Sequence, residues 1–120
     1  MTRSRRLPVT KPSLTADRAA RLCRLLRLLG EKPRTRASLL RQLRLDDRGF
    51  YRDLHLLREV GVLVDAVEGK YALQGDPDDA VLRIPLPDPR LTLGEATQLA
   101  RGRTAAHRKV KQVLAQVLPE

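Results

Sequence analysis

The stretch LDDRGFYRDLHLLREVGVLVD, residues 45–65, asks one short helix to be greasy on one side and basic on the other. Phe50, Leu54, Leu57 and Val60 recur at steps of four, three and three, which predicts a single buried stripe. Arg48, Tyr51, Arg52, His55 and Arg58 fall mostly off it. Asp46 or Asp47 can accept hydrogen bonds from the free amides at a helix start, where the macrodipole also favours an anion. Gly61 ends the helix. One face is expected to pack on a core and the other to stay open to something negative.

Outward from this helix, VLVDAV and YAL read as two short strands joined by a tight turn at Glu68, Gly69 and Lys70. Two strands alone are marginal, so the hairpin must lean on helices. Upstream, TADRAARLCRLLRLLG sets Ala19, Leu22, Leu25, Leu26 and Leu29 on one side, with Arg18, Arg21, Arg24 and Arg27 around the rest. Thr15 is expected to cap this first helix and Gly30 to end it. After a linker containing Pro33, Thr35 caps a second helix of about two turns, RASLLRQLR, with Leu40 and Leu43 inward. The order is helix, helix, helix, hairpin, over residues 15–75. The fold class expected is mainly α with a small β-hairpin.

Residues 76–91 hold acids and prolines and read as an extended linker, with Val81 to Ile84 as a candidate short strand. Thr92 and Glu95 then have capping-box spacing, so residues 92–120 should form a helical extension that Gly102 breaks in two. Its second piece aligns Ala106, Val110, Val113, Leu114 and Val117. That stripe either folds back on the domain or pairs with a second copy, making a homodimer; pairing is the reading preferred here.

Charge is unevenly spread. The chain carries 24 Lys+Arg against 14 Asp+Glu, a net charge of +10, and residues 1–75 hold 17 basic against 8 acidic residues. Such an excess attracts a polyanion, nucleic acid first and an anionic membrane surface second. No apolar run is long enough to cross a bilayer and no hydrophobic signal segment opens the chain, so a cytoplasmic, nucleoid-associated protein is expected. Residues 1–14 read as a disordered basic arm, because Pro8 and Pro12 interrupt the amphipathic helix of a presequence. Cys23 sits in a leucine-rich helix pattern and reads as a small buried thiol. His55 and His107 are far apart, and neither a phosphate loop nor a nucleophile motif is present, so no metal, cofactor, small-molecule ligand or enzymatic activity is expected.

At this point RLCRLLRLLGEKPRTRASLLRQLRLDDRGFYRDLHLLREVGVLV resembles the N-terminal winged helix-turn-helix DNA-binding region of the WYL-domain and DeoR-type bacterial transcriptional regulators. The resemblance rests on the leucine-rich first helix, the short second one, and the run Arg52, Asp53 and Leu54 followed by Leu57 and Gly61. The hairpin ending in Tyr71 and Leu73 stands where their wing does, and LPDPRLTLGEATQLA is similar to the segment that follows it. The sensor domain of those regulators has no counterpart in the resemblance, which therefore implies no effector. Asp47 and Gly49 depart from the small polar and threonine positions that open their recognition helix.

The resemblance implies sequence-specific binding of double-stranded DNA, with the third helix in the major groove and the hairpin on the backbone. Arg48, Tyr51, Arg52 and His55 are the candidates for base edges and nearby phosphates. Arg34, Arg36, Arg41, Arg44 and the hairpin's Lys70 are candidates for phosphate contact, and Arg3, Arg5 and Arg6 of the arm for the minor groove. Asp53 is expected to pair with a neighbouring arginine. Two other readings stand beside this one: a protein-interaction module, which would not need the basic face, and a binder of structured RNA.

Overall fold

Thr15 accepts a hydrogen bond from the Arg18 amide at 3.1 Å and starts α1 (Ala16–Glu31), whose Leu22, Leu25, Leu26 and Leu29 are buried as their spacing requires. A computed structural model describes residues 14–118. Residues 1–13, with Arg3, Arg5 and Arg6, lie outside the described residues, but Leu14, expected to belong to the arm, is buried in the core. The chain divides into two compact units, Met1–Pro87 and Asp88–Glu120.

In the first unit, Gly30 does not end α1, which continues to Glu31. The glycine answers a packing need instead: a Cβ there would come within 2.7 Å of the Pro77 side chain. Strand β1 (Arg34–Thr35) follows, then α2 (Arg36–Leu43), capped by Thr35. Leu39 and Leu43 are its buried residues, and Leu40, expected inward, is only half-buried. The helix thus turns its inner line by one residue from the expected one. Arg44 leaves it in the left-handed region at φ 57 and directs the chain into α3 (Asp47–Glu59).

Asp46, the residue between turn and helix, caps α3 through its carboxylate, which accepts from the Gly49 amide at 2.7 Å. A Cβ on Gly49 would lie 3.0 Å from that carboxylate and 3.1 Å from Leu45, so glycine keeps the cap tight. Its helical cost of up to about 1 kcal/mol is matched by a cap of similar size. At the other end Gly61, at φ 85, donates to Arg58 while Val62 donates to Leu57, a Schellman stop that brings Val62 into the core beside Leu57.

The chain returns through strands β2 (Val64–Val67) and β3 (Lys70–Leu73), paired antiparallel with Val67 opposite Lys70. Glu68 and Gly69 form the two-residue turn, both at positive φ, so Lys70 belongs to the strand rather than the turn. β1 pairs with the outer side of β3, giving a three-stranded sheet in the order β1-β3-β2. The architecture is mainly helical with a small antiparallel sheet.

The expected extended linker needs correction. Pro77–Val81 is a short helix, α4, and Val81 to Ile84 is not a strand. Asp76 caps it, Asp78 and Asp79 fill its first turn, and Pro77 takes the first helical position, where the missing N–H is one of the helix's unpaired donors anyway. Ala80 buries itself in the same core as Leu22, Leu26, Phe50 and Leu57.

The second unit holds α5 (Leu93–Leu99) and α6 (Ala105–Val117). Thr92 and Glu95 form the capping box their spacing implied. The break falls at Gly102, over which the His107 ring sits where a Cβ would go, while His107 joins Thr104 in a second capping box. Of the α6 stripe, Leu114 is buried, Val110 half-buried, and Val113 and Val117 are exposed. Among the described residues no helix is long and apolar enough to cross a membrane.

Gly30→Ala separates packing from propensity. Helix preference alone would stabilise α1 by up to about 1 kcal/mol. The contact with Pro77 is expected to reverse the sign and cost about 1–3 kcal/mol, read from the midpoint of urea unfolding. A stabilised variant would contradict the close packing of α4.

Candidate nucleic-acid interface

A carboxylate with no access to water must be neutralised or partnered, and Asp53 in the middle of α3 is 0% exposed. Two arginines from α1 do the partnering. Arg18 Nε donates to Asp53 Oδ1 at 2.9 Å; Arg21 donates from Nε to Oδ2 at 2.8 Å and from its terminal nitrogen to Oδ1 at 3.0 Å. Arg18 also donates to the Arg52 carbonyl at 3.3 Å. Four hydrogen bonds, three of them to one carboxylate, leave α3 little freedom to rotate about its axis.

That rotation corrects the expected stripe. Phe50, Asp53 and Leu57 are the fully buried line, whereas Leu54 is half-buried. The pairing expected of Asp53 is present, with partners 35 and 32 residues away in sequence. The signal was available, since residues 50, 53 and 57 are as well spaced on a helix as 50, 54 and 57; a charged residue in that line implies a buried partner.

With that face occupied, Arg48, Tyr51, Arg52 and His55 all lie on the exposed side of α3. Positions 48, 51, 52 and 55 are three, four and seven residues apart and so share one face. His55 Nε2 is 3.3 Å from Glu59 one turn on. Beside this face, Tyr51, Leu54, His55 and Arg58 of α3 and Val64 to Ala66 of β2 line an open groove of about 590 Å³. The helix face and the hairpin therefore border one depression, with the exposed Lys70 opening β3 just after the hairpin's turn.

Around the start of α2, Arg36 reaches Tyr51 Oη at 3.5 Å and Asp47 Oδ1 at 3.3 Å. The Tyr51 hydrogen bond first, then the Asp47 charge, hold the Arg36 guanidinium above its ordinary value. Phe50 stacks edge-on against both Tyr51 and Tyr71, with ring centroids 5.3 and 5.2 Å apart. Burial in this cluster, then the neighbouring Tyr51 phenol, pushes the Tyr71 hydroxyl above its ordinary value of 10.0.

Arg34 needs correction as a phosphate candidate. Its Nε donates to the Leu28 carbonyl at 3.0 Å and its terminal nitrogen to Glu31 at 2.6 Å, leaving the side chain 13% exposed. It is a strut between β1 and the end of α1. Arg41 and Arg44 are exposed at the far end of α2, and Arg44 serves as the left-handed cap. Cys23 is half-buried rather than buried. Among the described residues no group of three or more potential metal ligands comes together. No protein-family model, curated protein or solved structure matches the chain.

Two outcomes follow for stability. Asp53→Ala leaves two inward-facing guanidiniums and is expected to cost about 3 kcal/mol in urea unfolding, the low end for a broken buried pair because Arg18 and Arg21 keep an edge to water. A loss under about 1 kcal/mol, the size of an exposed pair, would contradict the clamp. For Tyr71, the unfolded phenol ionises first, so its contribution is present below pH 10.0 and is lost as pH rises above it. Tyr71→Phe should flatten that alkaline fall in stability; an unchanged slope would contradict the raised value.

Proposed function

We propose that the protein binds double-stranded DNA sequence-specifically as a small transcriptional regulator, with α3 as the recognition helix and the β2–β3 hairpin as the wing of a winged helix-turn-helix. The observation that carries this reading is the rotation of α3. With Asp53 clamped inward, Arg48, Tyr51, Arg52 and His55 stand together on the outer face, beside the groove that the hairpin borders. Arginine is the side chain best matched to the acceptor pair of guanine, and tyrosine and histidine extend the polar reach. The order of three helices and a hairpin, with α2 and α3 joined by Arg44, Leu45 and Asp46, supports the same assignment.

Binding would proceed in two layers. Phosphate attraction from Arg36, Arg41, Arg44 and Lys70 supplies salt-sensitive affinity, and α3 supplies sequence readout. Arg36 is engaged by Asp47, so this carboxylate competes with phosphate for the guanidinium. Exposure of Leu93, Val113 and Val117 in the second unit favours pairing of two copies, which would set two recognition helices on adjacent half-sites.

Fluorescence anisotropy with random duplex DNA at two salt concentrations tests the first layer. The wild type is expected to bind more weakly at the higher salt, and Arg48→Ala with Arg52→Ala to lose about tenfold or more in affinity, at roughly 1 kcal/mol per charged contact. Asp47→Asn should instead tighten binding. Absence of binding even at low salt would overturn the proposal and direct attention to protein partners.

A further inference from the structure

We infer that the α5–α6 pair carries a second binding site, a cationic cleft that takes the phosphate backbone of nucleic acid. This rests on reading the protein as a duplex-DNA binder. Arg101, Arg103, Arg108 and Lys111 surround an open concavity of about 620 Å³ whose floor includes Gly102. All four side chains belong to exposed residues, and among the described residues none has a carboxylate within 4.0 Å. Residues 101–118 contain five basic residues and no acid.

Concentrated charge of this kind has a cost that its neighbours do not relieve. Elsewhere the chain commits Arg18, Arg21, Arg34 and Arg36 to carboxylates. Here like charges converge on a hollow, where a low-dielectric wall on one side strengthens their field. Helix-dipole compensation accounts for Arg101, just past the end of α5, but not for Arg108, which lies near the positive N-terminal end of α6. Arg108 is also held in place, donating to the Arg103 carbonyl at 2.9 Å across the loop between the helices. In the first turn of α6 the His107 amide already donates to the Thr104 hydroxyl at 3.3 Å, which leaves the four side chains as the main source of attraction.

The cleft is separate from the apolar side of the pair. Leu93, Val110, Val113 and Val117 line a different groove that shares no residue with the cationic one, so self-pairing and phosphate binding do not compete for the same side chains. A phosphodiester backbone suits this site better than a compact anion, because the cations are spread along an open hollow rather than focused on one point. Summed over the whole stretch from Asp76 to Glu120, the acids of the preceding segment hide this positive run.

Backbone-amide NMR of the full chain, titrated with a random-sequence duplex at low salt, tests the site. The resonances of Arg101 to Lys111 are expected to shift, and to shift also in Arg48→Ala with Arg52→Ala. In anisotropy, Arg101→Gln with Lys111→Gln should weaken binding several-fold and flatten the dependence of log affinity on log salt by about 1–2, one counterion per lost phosphate contact. Shifts confined to residues 47–58 would overturn the second site and leave the recognition-helix reading standing. Shifts nowhere would overturn both.

Discussion

The two arginines of α1 that close on Asp53 determine which way α3 faces. Without them the helix would carry an uncompensated buried carboxylate, and rolling it outward would drag Phe50 and Leu57 from the core. Hydrophobic packing has no fine angular preference on a helix where residues 53 and 54 are both close to the stripe. Ionic hydrogen bonds do, because a guanidinium meets a carboxylate edge in its own plane. The apolar residues thus supply the burial, and Asp53 supplies the angle.

From that angle the exposed face follows. The cap at Asp46 fixes where α3 begins, the left-handed Arg44 fixes the turn before it, and the Schellman stop at Gly61 fixes where the chain departs for the hairpin. The Phe50, Tyr51 and Tyr71 rings tie helix to sheet edge-on, so the groove between them has walls from both elements. A basic helix face alone would be a solvated surface. Its placement beside the hairpin is what makes the nucleic-acid reading specific.

Much of this was legible in residue order. The caps at Thr15, Thr35, Asp46 and Thr92, the leucine line of α1 and the hairpin with its glycine turn all follow from local chemistry, and the structure has them. What escaped depends on distant partners. The strand β1 is two residues long and exists because β3 offers it an edge. The helix α4 looks like a linker by its prolines, yet Pro77 sits at the one position where proline fits a helix, and Gly30 opens the space it fills. Arg34 reads as a free cation until Leu28 and Glu31 are found beside it. Asp53 reads as the partner of an arginine, but which arginines these are, and that the pair is buried, follows only once α1 is laid against it. The candidate face was visible as a set of residue types; its orientation was not, because orientation is set by a contact 32 to 35 residues away.

The proposed sequence readout by the outer face of α3 can be measured by selection from a pool of random duplexes. Repeated rounds with the wild-type chain are expected to enrich a common short motif containing guanine, and Arg52→Ala to relax the preference at one position of it. A pool that is retained but stays random would contradict sequence readout and reduce the protein to a general polyanion binder.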